Sequence, residues 1–316
     1  MSYPYRKPGL MIAALALAYA GALHGEAATL ELPRVFAPGV ISGPLHDSAP
    51  AFNPDNRSVW FSRSDGDHST ILTSQFVDGT WTAPTTASFS GRWSDMEPAW
   101  SPDGRFLIFV SNRPIDDAGK PLDGFFMGKR FPGGGGHLWR VDRKGHGWGR
   151  PTHLPFVINS SDSTFAPSVT RDGSLYFMRA TEDGRRFHLY RAQAISNGYE
   201  SAKLLPFGAA EISDVDPVVA PDESFLVFAS DRKPARSMDL FIVFRQSGSW
   251  GTPQHLGDAV NGTGSDAEAR LSPNGKTLYF SSERIEITAA GQAAADWNNG
   301  KYNIWSIPLT PWLPAR

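Results

Sequence analysis

Glu97-Pro-Ala-Trp-Ser-Pro-Asp-Gly-Arg-Phe-Leu-Ile-Phe-Val-Ser-Asn-Arg113 is one copy of a phrase that this chain repeats five times. A second full copy runs Asp216-Pro-Val-Val-Ala-Pro-Asp-Glu-Ser-Phe-Leu-Val-Phe-Ala-Ser-Asp-Arg232, and the other copies occupy 49–64, 166–179 and 268–284. The copies begin about 50 residues apart, with one longer gap of about 69 between the second and third. That period marks a stacked or radial repeat architecture. Within each copy a short apolar strand meets a Pro-Asp-Gly type of turn, whose glycine accepts positive φ without strain. A β-rich strand follows at 58–61, 106–110, 175–177, 225–228 and 278–280. A third strand is expected at 71–76, 137–141, 188–191, 239–244 and 303–307.

Outside the phrase a fourth element recurs as Trp-x-x-Pro-x-x-apolar: Trp81/Pro84/Ala87, Trp148/Pro151/Leu154 and Trp250/Pro253/Leu256, with a degraded copy at 199–205. Proline lacks the N–H that a central strand donates, so this element belongs on a sheet edge. Four antiparallel strands per repeat predict an all-β fold, a β-propeller. The fifth repeat ends after its third strand, and Val35-Phe-Ala-Pro38-Gly-Val-Ile41 fits the missing edge-strand frame. The N-terminal strand is therefore expected to close a five-bladed ring and remove two exposed edges. Six blades is the alternative, but the extra one would have to come from 114–136, a Gly- and Pro-rich stretch too short for four strands.

The 316 residues are 41% hydrophobic, enough for a full core, and the net charge of −2 gives no basic field for nucleic acid. There is no cysteine, hence no disulfide, thiolate nucleophile or lipid attachment. Arg6 and Lys7 precede an apolar run at 10–23 and small residues at Gly25-Glu26-Ala27-Ala28, the pattern of a cleaved export signal over 1–27. The run is shorter than the roughly 20 residues of a bilayer span. The expected mature domain is 28–316, periplasmic or secreted, with no integral membrane segment.

The Ser-Pro-Asp-Gly-x-x-Leu-x-Phe-x-Ser-x-Arg pattern resembles the WD40-like PD40 repeat of the TolB-like propeller family, over roughly residues 33–309. Members carry an α/β domain ahead of the propeller, where this chain has only about 20 residues between its export signal and its first copy. The resemblance implies a stand-alone periplasmic propeller that binds protein, without transferring any particular partner.

Candidate site residues follow from the turns that open on one face. Glu97, Asp216 and Glu268 precede the first position of the strand in the copies that end in Arg113, Arg232 and Arg284, while copies with Ala49 or Ala166 have Asp65 or Thr181 instead. Acid and arginine vanish together, so salt bridges Glu97–Arg113, Asp216–Arg232 and Glu268–Arg284 are expected. Two positions earlier stand Asp47, Asp95, Asp214 and Asp266, with Thr164 in the third copy and no covarying arginine. Four carboxylates converging on an axis would cap their own turns, hold a ligand or a hard cation such as Ca²⁺, or supply a hydrolytic pair. No cofactor is otherwise indicated. His137 and His188 share a repeat position with Asp239 and Asn303; His68, His146, His153 and His255 show no zinc-binding spacing. The 114–136 insertion carries Phe125, Phe126, Met127, Lys129, Arg130 and Phe131 among glycines, the composition of a mobile recognition loop. Gly133–Gly136 reads as a flexible run, and an alanine-rich stretch at 289–295 as a short helix. The functional expectation is an exported, non-enzymatic binding or scaffold protein of the cell envelope, recognising a protein or small ligand on the insertion-bearing face. The alternative is a carbohydrate-active hydrolase using axial carboxylates.

Overall fold

A turn that is cheap to make, followed by a β-branched and aromatic run, gives each copy a hairpin, and five such hairpins set the architecture. The computed structural model describes residues 31–145, 147–286 and 295–314; the expected export signal at 1–27, His146 and most of the alanine-rich stretch lie outside the described residues. Among the described residues no helix is long and apolar enough to cross a membrane.

Five antiparallel sheets form the blades of a propeller. The innermost strands are His46–Phe52, Asp95–Trp100, Thr164–Val169, Asp214–Val219 and Asp266–Leu271. The second strands are Ser58–Ser64, Phe106–Ser111, Leu175–Ala180, Phe225–Ser230 and Thr277–Ser282. The third are Ser69–Val77, His137–Lys144, Phe187–Ala192, Asp239–Gln246 and Asn303–Pro308. In three blades the Trp-x-x-Pro frame yields a broken edge: Thr80–Trp81 and Thr85–Thr86 both pair with the third strand of blade 1, on either side of Pro84. In blade 3 the degraded frame gives the same two pieces, Gly198–Tyr199 on Ala194–Ile195 and Lys203–Leu204 on the third strand.

The ring closes as expected. Arg34–Val35 lies on the last blade, Arg34 opposite Ser306 and Val35 opposite Trp305. Phe36 continues the zipper by donating its N–H to the Ile304 carbonyl at 2.8 Å. Its ring then meets Tyr279 of blade 5 at 5.3 Å and Phe52 and Trp81 of blade 1 at 5.5 Å each, all edge-on. Edge-to-face pairs of this kind add roughly 0.5–1.5 kcal/mol each beyond burial, so one side chain seals the seam between first and last blades. The core sits between blades. Trp60 and Ile71 of blade 1 pack against Leu107, Phe109 and Trp139 of blade 2, for example, in one buried cluster.

One expectation needs correction and one is borne out. The innermost strands start two or three residues before Ala49, Glu97, Ala166, Asp216 and Glu268, so the acidic positions lie inside the sheet and not on turns. The 114–136 insertion supplies no further blade but a small hairpin, Gly124–Phe126 with Lys129–Phe131.

Candidate functional site

Every innermost strand carries a register shift at the same place: between Ser48 and Ala51, Met96 and Ala99, Phe165 and Ser168, Val215 and Val218, and Ala267 and Arg270. Within each bulge one non-glycine residue is left-handed: Ala49, Glu97, Ala166, Asp216 and Glu268, at φ of 48°, 53°, 51°, 54° and 49°. Side chains rarely accept this region, and four of these residues precede proline, which further disfavours a helical conformation. A bulge re-aims one side chain and bends its strand. Here it turns the left-handed residue away from its own blade and towards the neighbouring one.

That turn overturns the expected salt bridges. Arg113 pairs not with Glu97 but with Asp95, Nη2 to Oδ1 at 2.6 Å; Arg232 pairs with Asp214 at 2.5 Å and Arg284 with Asp266 at 2.6 Å. Each arginine also gives its Nε–H to the serine opposite its aspartate, Ser111, Ser230 or Ser282. The first blade uses Arg63, two positions earlier in its copy, whose Nε meets Asp47 Oδ1 at 2.6 Å. Blade 3 keeps the equivalent Arg179 but has Thr164 in place of the acid. All five arginines donate to a carbonyl in the loop before their innermost strand, at Ile41, Phe89, Ile158, Phe207 and Val260. All five also lie over the phenylalanine two or four residues earlier. Asp47, Asp95 and Asp266 have fully buried side chains. Burial raises the carboxyls of Asp47, Asp95 and Asp214 despite the guanidinium beside each. The four aspartates expected to face an axial ligand are thus each engaged within their own blade.

The axial role falls to the other set. The N–H of Ala166 donates to Glu97 Oε2 at 2.6 Å, and the N–H of Glu268 to Asp216 Oδ2 at 3.1 Å, so two carboxylates bridge successive blades. Two further junctions use hydroxyls: Glu97 N–H to Ser62 Oγ at 2.8 Å and Ala49 N–H to Ser281 Oγ at 3.3 Å. Ser281 in turn donates to Glu268 Oε2 at 2.7 Å. Glu97, Asp216 and Glu268 make no salt bridge among the described residues. Burial, then the charges of Asp216 and Glu268, push the Glu97 carboxyl up to about 8. Burial and Glu268 raise Asp216 to about 7.

Above this cluster, on the insertion-bearing face, lies a cleft of about 1350 Å³. Asp216 and Tyr302 line it from the axis, Met178 and Phe187 from blade 3, Met238 from blade 4, and Phe126 and Met127 from the insertion. The hairpin is a built wall rather than a mobile loop. Phe126 stacks on Phe131 at 4.2 Å and meets Phe187 and Phe165 of blade 3. Phe125 N–H donates to Ser163 Oγ at 3.0 Å, and Gly128 N–H donates to the Gly184 carbonyl at 3.0 Å. The glycine run is a close approach, not slack: a Cβ on Gly136 would sit 2.5 Å from the Phe165 ring and 2.7 Å from Val110. Met127 is 71% exposed at the hairpin tip, Phe125 is half-exposed, and Lys129 and Arg130 face solvent, Arg130 paired with Asp123.

The histidines fall into blade-edge contacts. His153 Nε2 lies 2.9 Å from His137 Nδ1, and His255 Nε2 lies 3.0 Å from Asp239 Oδ2 at the same place in blade 4. Burial, then His137, lowers His153 to about 4. Among the described residues no group of three or more histidine or carboxylate side chains is disposed to hold a metal ion. His188, unlike His137, lines the cleft.

One residue escaped the repeat reading. Arg270 occupies the slot held by Ala51, Ala99, Ser168 and Val218 in the other blades, and that departure was visible in the alignment of copies. Tyr302 and Met238 carry no comparable signal; only the ring brings them beside Asp216.

No protein-family model and no curated protein matches the sequence. Solved structures do. TolB from Acinetobacter baumannii is 17% identical over 84% of this chain and 54% of its own, at a TM-score of 0.46. The chain therefore spans about half of that protein's length. A protein assigned as TolB from Agrobacterium tumefaciens is 16% identical over 86% and 92%, at 0.49. A thermostable family-43 glycoside hydrolase is 9% identical over 85% and 91%, at 0.52. Solved structures similar to this chain thus include two of TolB proteins, and the likeness is one of fold.

Proposed function

We propose that this chain is an exported, non-enzymatic propeller of the cell envelope that binds a protein segment or small ligand in the cleft on its insertion-bearing face. The cleft carries the reading. It is large, it has an apolar wall (Phe126, Met127, Met178, Phe187, Met238), and its floor presents polar groups, Asp216, Tyr302 and His188. Apolar walls with a few convergent polar groups are how ligand sites combine affinity with orientation. An occupant with an apolar body and a hydrogen-bond-donating end matches that lining. The test is a pair of cleft substitutions, Met127→Glu and His188→Ala, in capture and cross-linking from periplasmic extract. A partner retained by the wild type and lost from both, with unchanged melting, supports the reading; equal capture by all three refutes it.

A second reading keeps one specific observation in its favour. Glu97 and Asp216 are buried carboxyls held near neutrality at strained backbone positions, a pattern that active sites share. A hydrolase would use these two acids and not the arginine-bound aspartates. Turnover of aryl glycosides, abolished by Glu97→Gln, would establish it.

A further inference from the structure

The axis has a second mouth, on the face opposite the insertions, and its chemistry differs from that of the cleft. All five blades contribute to it, through the residues just after each bulge: Pro50, Pro54, Trp100, Pro102, Val218 and Pro273 are among those that ring a funnel of about 300 Å³. That volume lies at the small end of ligand pockets, about 300–1,000 Å³. Its lining is apolar apart from serines and one charged side chain, Arg270.

Arg270 is the anomaly. Four blades put a small residue in its slot, so this one long side chain reaches the axis alone. It is only 4% exposed, yet among the described residues it forms no salt bridge. Nη1 donates to the adjacent Ala269 carbonyl at 2.8 Å, while Nε and Nη2 have no hydrogen-bond partner. A buried guanidinium without a carboxylate is expensive for a fold to keep. Among the described residues the other buried arginine, Arg113, gives Nε to a serine and Nη2 to a carboxylate. The half-buried Arg179 also lacks a carboxylate and leaves Nε unpartnered, but its Nη2 donates to the Val157 and Ile158 carbonyls. Nε and Nη2 are also the two parallel donors with which an arginine side edge grips a planar carboxylate.

We propose that the axial funnel is a binding site for a small organic carboxylate. The carboxylate takes the fork of Arg270 Nε and Nη2, and its compact apolar tail lies against the proline ring and Trp100. Burial raises the Glu97 and Asp216 carboxyls, which feel the Arg270 charge, and among the described residues no acid lies within salt-bridge distance of the guanidinium.

The experiment is calorimetric titration of the purified full chain at pH 7 with sodium benzoate, with butyrate, and with neutral benzamide. Saturable binding of the carboxylates at one site is expected, with benzamide silent. Arg270→Met should weaken benzoate by about 10–100-fold, the span of a charged hydrogen-bonded contact, and Arg270→Lys should recover only part. Ala99→Leu, which narrows the funnel without touching the guanidinium, should block binding and serves should Arg270→Met fail to fold. Met127→Glu should leave benzoate binding unchanged, which separates this site from the cleft. The proposal falls if no carboxylate saturates, if benzamide binds as well as benzoate, or if Arg270→Met and Ala99→Leu both bind like the wild type.

Discussion

At the residue scale, the decisive choice is which acid meets the arginine. Asp95 and Arg113 are both buried, so removing one strands the other, at roughly 3–5 kcal/mol for a broken buried pair. Asp95→Ala should lower the unfolding free energy measured in urea by about that much, and Asp95→Ala with Arg113→Met should recover part of it. Glu97→Gln is expected to behave in the opposite way. Its folded-state carboxyl is raised from 4.5 to about 8, and that of Asp216 from 3.8 to about 7. A raised carboxyl means the folded state holds a proton that the unfolded chain has released. The favourable term is complete below about pH 4 and is lost as pH rises through 7 and 8. Stability should therefore decline from pH 5 to pH 8, and the double variant Glu97→Gln, Asp216→Asn should flatten the decline by on the order of 1–3 kcal/mol. A glutamine oxygen can still accept from Ala166 N–H, so the inter-blade bond survives. Thermal melts across that pH range check the sign; a steeper decline in the double variant would contradict the assignment.

At the element scale, the insertion hairpin is held by shape more than by charge. Gly136 lies so close to Phe165 and Val110 that Gly136→Ala should destabilise by about 1–3 kcal/mol through overpacking, read in the urea midpoint. Met127→Glu at the exposed tip should leave melting within about 0.5 kcal/mol of wild type, as surface changes usually do. The two substitutions separate the hairpin's placement from what its tip contacts. The strands themselves were legible, because Pro-Asp-Gly turns and β-rich runs are local signals. The site was less so. Counting copies showed that acid and arginine covary, but pairing them needed the bulge: a single extra residue reverses which of two acids, two positions apart, faces its own blade. Arg63 was missed for a related reason, since it reaches the same aspartate from two positions earlier on its strand. The docked hairpin was hidden because glycines forced by close contact and glycines left slack read alike in sequence.

At the scale of the whole molecule, the ring depends on a pairing between Arg34–Val35 and Asn303–Pro308, residues at opposite ends of the described chain. The closure was readable because the edge frame missing from the last repeat recurs ahead of the first. Removing residues 28–37 should take away that edge and the Phe36 seam together. The expected outcome is a melting temperature lowered by about 4 °C or more, with concentration-dependent association through the bared strand of the last blade; a truncated chain that melts like wild type and stays monomeric would contradict it. The same junction has a mechanical side. Tension applied at the two termini would fall on this short pairing before any other, peeling it one bond at a time while four blades bear almost no load. The propeller is thus weakest along the line joining its own ends, and a single-molecule trace should open with a small, low-force step that frees one blade.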